Sequence, residues 1–470
     1  MLIIGAGQLA VSVLRDIGEE TELNYTIVGL IDDDKRKKNR VVYGAKVIGN
    51  RFDIERICLE KKVDEIVFAI YSIQPKEKSA ILEICAKTDC KLKIIPGVEA
   101  MFSGHYGLDG LRNLQIEDLL ERTPVQFETQ RIRDGIRDKI VLVTGGGGSI
   151  GSELCRQIVQ YHPKQLILLD IYENTVYDLE NELKERYPDQ QLTVLIASVR
   201  DEERLEEIFK VFRPEIVFHA AAHKHVPLME HSAADAVKNN VFGTLHVAKC
   251  AEKYGAKRFV AISTDKAVHP TNVMGATKRM CEMIVQTMAQ NSKTDFVAVR
   301  FGNVFGSNGS VIPRFQKQIE NGGPVTVTHP EITRFFMTIP EAVHLVLQAA
   351  SYAEGGEIFV LDMGQPVKIY ELAKKMIMLA GYEPDKDIKI QFTGLRPGEK
   401  LYEELLMNEE HLKKTEHQKI FISKPVHMTV EALQEKLQIL EKALPNGNEA
   451  VKMALAQVVP TYTPMHEENR

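Results

Sequence analysis

The sequence predicts an α/β protein made of two parallel-sheet units, the second of which carries a small C-terminal lobe. Two observations predict it. An apolar run ends in a glycine-rich turn twice, in LIIGAGQLA (2–10) and in KIVLVTGGGGSIG (139–151). After each turn comes a stretch with helical apolar spacing, then a second apolar run that closes on aspartate. Apolar strands separated by helical segments are what a parallel sheet covered on both faces requires.

The bulk numbers are compatible with this and exclude some classes. A chain of 470 residues has room for two or three domains, and 44% hydrophobic with 26% charged residues is ordinary for a globular protein. The formal net charge of −6 gives no basic surplus, so no nucleic-acid partner is expected. Cysteines 58, 85, 90, 155, 250 and 281 show neither CxxC nor zinc spacing, as expected of a reducing, cytoplasmic setting. No apolar run approaches the ~18 residues of a membrane span. Met1 opens directly into a buried-strand pattern, which reads either as a tight start or as a piece of a longer chain.

Taken in order, residues 1–115 form the first, Rossmann-like unit. A strand leads into Gly5-x-Gly7-x-x-Ala10, and further strands are expected at 26–34, 64–70 and 91–97. Asp32 or Asp33 falls where a ribose would be held. Such a turn serves either ligand binding or close packing. No acid–base cluster follows it, so no chemistry is placed here. Residues 116–137, charged and with one proline, read as a linker with helical pieces.

The stronger unit spans 138–424. Its first strand, 139–145, is apolar throughout and runs into a loop whose Gly145, Gly148, Ser149, Ile150 and Gly151 would meet a pyrophosphate with backbone N–H groups and a helix N-terminus. The next strand, QLILLD (165–170), ends on Asp170, 19 residues after Gly151. A carboxylate there accepts from a ribose 2′-hydroxyl and repels a 2′-phosphate, and no Arg follows within ten residues, so NAD is expected rather than NADP. Strands follow at 193–199 and 215–221. Ala220 and Ala222 would let a flat cofactor approach the backbone, and Lys224, between two histidines, reads as part of an anion-facing loop. No carboxylate or Cys stands at ligand spacing, so no metal is assigned. Asn240 lies mid-helix, where an Asn faces solvent unless it hydrogen-bonds a neighbouring strand.

The segment STDKAVHPTNVMGATK (263–278) is the chemical centre. The strand 258–264 delivers Thr264, Asp265 and Lys266 to its exit, the place where α/β enzymes hold ligands. A helix from about Val273 puts Met274 and Lys278, four residues apart, on one face. Later pieces, 296–315, 357–364 and 393–406, break the strand–helix alternation and would build the lobe. With the intervening stretch 325–350, a short strand, a loop and a helix, they carry Arg334, Arg396 and Lys400, and two guanidiniums suit a diphosphate. Residues 425–470 read as one or two helices and a polar tail.

Residues 139–406 resemble an extended short-chain dehydrogenase/reductase, and within that superfamily the nucleotide-sugar 4,6-dehydratases of bacterial glycan biosynthesis. The likeness rests on TGGGGSIGSE, AAAHKHVPLME, NNVFGT, STDKAVHPTNVMGATKR, RFGNVFGSNGSVIP and LRPGEKLYEEL. The N-terminal unit resembles that of the long members, in which transmembrane helices come first, so a native membrane-anchored form is an expectation. The superfamily usually has Tyr-x-x-x-Lys. Here the tyrosine position is Met274, and a thioether carries no proton.

The resemblance implies UDP-N-acetylglucosamine as substrate, bound NAD and a homo-oligomer. It implies Thr264 on the sugar 4-hydroxyl, Lys278 tuning it and holding the nicotinamide ribose, Lys266 as base at C5 and Asp265 as acid at C6. A base role demands a lowered Lys266 pKa. Lys224, Asn303, Arg334 and Arg396 would bind substrate; Asn240 lies on the cofactor side. Two other readings stand beside this one. One is a UDP-sugar 4-epimerase, which needs no acid–base pair at C5 and C6. The other is a non-catalytic nucleotide-sugar sensor, which Met274 and the extra domain would suit.

Overall fold

The computed structural model describes residues 1–19, 25–70, 73–88, 90–95, 111–114, 118, 129–405, 412–423 and 428–464. Most of the expected linker 116–137, the polar end of the tail (465–470) and residues 96–97 and 406 of two expected segments lie outside these. The chain forms two compact units. One comprises Met1–Gln126 with Phe315–Val325 and Glu371–Gln391; the other comprises Phe127–Arg314, Thr326–Tyr370 and Phe392–Arg470.

The first unit holds a seven-stranded sheet. Its strands lie in the order Val41–Val42, Ala45–Gly49, Gly29–Ile31, Leu2–Ile4, Glu65–Phe68, Lys91–Ile94 and Arg112–Asn113. The five inner strands are parallel, and each edge strand is antiparallel. Ile3, Leu30, Val47 and Val67 pack with Val13 and Leu14 of the helix Gln8–Glu19. Asp32 accepts from the Ala6 amide at 2.9 Å and pairs with Lys37 at 2.8 Å, and Asp33 pairs with Arg51. Both carboxylates at the first glycine turn are therefore held by the protein's own groups.

The second unit holds a nine-stranded sheet. Its order is Leu192–Ile196, Gln165–Asp170, Ile140–Thr144, Ile216–His219, Arg258–Thr264, Asp295–Phe301, Ile358–Leu361, Ile420–Ser423 and Leu412–Lys414. The first seven are parallel and the last two antiparallel. The strand Ile140–Thr144 is flanked by the second strand in sequence on one side and the fourth on the other. This reversal opens a crevice at the carboxyl ends of the strands. Thr144 is level with Leu169 and His219, and His219 with Ala261, so the glycine loop, Asp170, Ala220 and Thr264 all leave from one edge.

The runs are apolar because both sheet faces are covered. Phe259 and Phe296 pack at a tilt of 48°, 5.3 Å between ring centroids, inside a cluster that includes Leu142, Ile167 and Val247. A buried Phe contributes about 1.5–3 kcal/mol. The helix Val273–Ala289 is buried along most of its length. The C-terminal helices Val430–Ala443 and Asn448–Val458 cover it with Leu433, Leu440, Val451 and Leu455. Short ladders form the lobe: Asn303–Val304 with Phe336–Met337, and Thr333–Arg334 with Val367–Lys368.

Candidate active site

The site grows from the exit of the strand Arg258–Thr264. Thr264 caps a single turn, Asp265–Ala267, and that turn puts three polar side chains on successive residues. The Thr264 hydroxyl donates to Asp265 Oδ1 at 2.8 Å, and Lys266 Nζ donates to the same oxygen at 3.1 Å. Lys266 Nζ also reaches Asn303 Oδ1 at 3.2 Å and Glu403 Oε1 at 3.3 Å. Asp265 is fully buried and the Glu403 side chain is 3% exposed. Each carboxylate keeps one buried oxygen without a hydrogen-bond partner, Asp265 Oδ2 and Glu403 Oε2.

The helix Val273–Ala289 pins the turn from its C-terminal side. Asn272 caps this helix, accepting from Gly275 N at 2.8 Å. A Cβ on Gly275 would lie 2.2 Å from the Lys266 carbonyl oxygen, so only glycine lets the helix lie this close to the turn. Behind the turn, Ser263, Arg279 and Arg300 hold Glu282. Burial raises the Glu282 pKa, but the two guanidiniums and the Ser263 hydroxyl win and bring it down to about 2. This buried cluster ties strand 258–264, the helix and strand 295–301 together.

The lowered pKa expected for Lys266 is not found. Burial disfavours its charge, yet the adjacent Asp265 and Glu403 carboxylates outweigh burial and the opposing Arg334, and hold the amine above its ordinary value. The physical reason is Asp265 together with Glu403, and sequence reasoning missed Glu403. It sits in LRPGEKLYEEL, 137 residues beyond Lys266 in sequence, and no local pattern connects the two.

The remaining expected residues are spread over the helix, the lobe and the loops of the sheet edge. Met274 is buried in the core cluster and Lys278 is buried on the same helix. Arg334 and Arg396 share one carboxylate: Glu399 Oε1 lies 3.3 Å from Arg334 and 3.0 Å from Arg396. Arg334 also lies 3.6 Å from Glu403. Lys224 is exposed on the loop after the strand Ile216–His219. Asn240 is buried in a π-helical stretch, Val237–Phe242. Its side chain clamps the backbone of His223, accepting from N at 2.8 Å and donating to O at 3.0 Å, so its partner is the loop that carries Lys224. His219, unremarked in the sequence, is buried between Thr144 and Thr244, and burial brings its pKa down to about 3.

The residues at the glycine loop fit a dinucleotide. A Cβ on Gly151 would meet the Gly145 carbonyl oxygen at 1.9 Å, and one on Gly145 would meet the Ala221 amide at 2.6 Å. The helix Ser149–Ile158 starts from Gly148 with no side-chain cap, in contrast to the Asn272-capped helix, which leaves its N-terminus suited to an anion. Asp170 is fixed by Gly147 N at 2.9 Å and Tyr172 N at 3.0 Å. Ala220 and Ala222, half-buried, come after the next strand.

The profile of the polysaccharide biosynthesis protein family matches residues 141–425. The chain is 47% identical to the capsular polysaccharide biosynthesis protein CapD of Staphylococcus aureus, over 91% of this chain and 72% of that one. It is 35% identical to a UDP-glucose 4-epimerase of Rickettsia bellii, over 59% of this chain and 80% of that one. Among solved structures, Pen from Bacillus thuringiensis is similar with a TM-score of 0.58 at 35% identity, covering 63% of this chain and 92% of that one. DesIV from Streptomyces venezuelae, a dTDP-glucose 4,6-dehydratase solved with NAD and TYD bound, shares the fold at a TM-score of 0.52 and 20% identity, covering 66% of this chain and 99% of that one. The chain belongs to the polysaccharide biosynthesis protein family.

Proposed function

We propose that this family member dehydrates UDP-N-acetylglucosamine to a UDP-4-keto-6-deoxy-N-acetylhexosamine, in the cytoplasm and as a homo-oligomer, for glycan synthesis. The observation that carries the reading is the hydrogen-bonded run Thr264–Asp265–Lys266, set at the same sheet edge as the glycine cradle. An acid and a base side by side are what loss of water across C5 and C6 needs. Gly145, Gly148, Ser149, Ile150, Gly151, Asp170, Ala220, Ala222, Asn240 and Lys278 would hold NAD. When bound, it would supply reversible hydride exchange with the sugar.

The residues then divide the proton work. Thr264 takes the 4-hydroxyl proton while passing its own to Asp265 Oδ1, 2.8 Å away. That is the relay the sequence does not reveal. It leaves Asp265 protonated, and so ready to protonate the departing 6-hydroxyl as water. Lys266 rests as an ammonium beside Asp265 and Glu403; the molecules in which it has shed that proton to solvent carry the reaction, the amine removing the C5 proton that the 4-ketone has made acidic and later returning it to C5. Both groups end as they began. Lys224, Asn303, Arg334 and Arg396 would bind the substrate, with Arg334 and Arg396 leaving Glu399 for the diphosphate.

A 4-epimerase is the second reading, favoured by the 35% identity to the Rickettsia bellii enzyme. It gives no task to an acid–base pair beyond C4. Mass spectrometry after incubation with UDP-N-acetylglucosamine separates them. The dehydratase gives a product lighter by one water, ~18 Da, without added cofactor if NAD is carried by the protein. The Lys266→Ala variant should give none while still binding NAD. A new 4-epimer of unchanged mass would instead establish the epimerase.

A further inference from the structure

We propose that Glu403 is a positioning residue that sets whether Lys266 stands as ammonium or as amine, and so places the pH at which the site becomes active. The inference rests on Lys266 being the base of the reaction proposed above.

The geometry is specific. Lys266 Nζ is met by Asp265 from its own turn at 3.1 Å, by Glu403 from the segment 393–405 at 3.3 Å, and by the neutral Asn303 at 3.2 Å. Arg334, on the strand Thr333–Arg334, opposes them; it lies 3.6 Å from Glu403 and is itself partly neutralised by Glu399. Two buried carboxylates thus face one ammonium, and each has an oxygen with no other partner. Once the 4-hydroxyl proton has reached Asp265, that carboxylate is neutral. Glu403 is then the remaining anion on Lys266, set against Arg334, and it decides how firmly the amine holds a proton.

Glu403 is also fixed in place. Its segment is tied to the catalytic turn by Thr271 and Asn272, which donate to the Gly398 carbonyl at 2.9 and 3.0 Å, and by Lys400, which donates to the Val268 carbonyl at 2.9 Å. A carboxylate clamped this way against a buried cation has an electrostatic effect that an isosteric amide removes while keeping the shape.

The test uses Glu403→Gln and Glu403→Asp in the full chain, with two readouts. Competitive acetylation with acetic anhydride across pH, read at Lys266 by mass spectrometry, reports its protonation without requiring turnover. The titration should move to lower pH by about one unit or more in Glu403→Gln, a tenfold change in proton affinity. It should move less, in the same direction, in Glu403→Asp, whose charge is withdrawn from Nζ. The acid limb of kcat against pH should move with it. Superimposable titrations in the three proteins would overturn the inference, and if the Gln variant does not fold, the Asp variant decides by the same criterion. A shifted titration with no dehydration by the wild type would uphold the electrostatic role and refute the reaction instead.

Discussion

At the residue scale, the proposed chemistry rests on a few side chains whose neighbours come from distant sequence. Thr264, Asp265 and Lys266 are legible because they are consecutive and come directly after an apolar strand. Glu403, Glu399 and Glu282 are not, because charged residues in amphipathic segments read as solvated faces until the fold brings them to a cation. Glu282 makes the sharpest stability prediction. Its folded pKa of about 2 lies below the ordinary 4.5, so its contribution is fully present above pH 4.5 and is lost as pH falls through about 2. The shift corresponds to roughly 3 kcal/mol. Glu282→Gln should cost ~3–5 kcal/mol at pH 7, because Arg279 and Arg300 would be left buried without their anion. Its stability should also fall less between pH 4.5 and 2 than the wild type's. Denaturant unfolding at pH 7 and near pH 3 checks both. An unchanged midpoint at pH 7 would mean that the cluster braces nothing.

At the element scale, the strands 165–170 and 258–264 and the start of the helix at Val273 fall where apolar runs, an acidic stop and an Asn cap put them. The expected strands 26–34 and 215–221 shorten to Gly29–Ile31 and Ile216–His219. In the first, Ile27 and Val28 precede the ladder and Asp32–Asp34 follow it; in the second, the apolar run continues past the last pairing as Ala220 and Ala221. The π-helical turn around Asn240 was not legible, since nothing local distinguishes it from an ordinary helix. The Asn240 clamp on the His223 backbone is set within it. The glycine loop carries its own prediction. Gly151→Ala places a methyl 1.9 Å from the Gly145 carbonyl oxygen, so the loop and helix must separate. The expected outcome is loss of NAD affinity by at least tenfold, about 1.4 kcal/mol, with the rest of the chain folded. Calorimetric titration of NAD beside circular dichroism reads the two effects apart, and retained affinity would deny the loop its cofactor role.

At the scale of the whole molecule, the fold class comes from the alternation of apolar strands and helices, and the structure has that alternation in both sheets. We propose the domain limits 1–115, 116–137, 138–424 and 425–470 as the functional division. The compact units also draw in Phe315–Val325 and Glu371–Gln391 on the N-terminal side, a grouping hidden from sequence because those segments lie far along the chain. Lys375 pairs with Glu83 at 2.9 Å within that unit. Among the described residues no helix is long and apolar enough to cross a membrane.

The central claim is one cycle in which Thr264, Asp265 and Lys266 move protons while a hydrogen leaves C4 and returns at C6. The direct measurement is incubation of the full chain with UDP-N-acetylglucosamine deuterated at C4, without added cofactor, then mass spectrometry and NMR of the product. The account predicts loss of one water, ~18 Da, with deuterium retained and found on the C6 methyl. Deuterium restored to C4 of an epimer with no loss of water, or a substrate left unchanged, would contradict it.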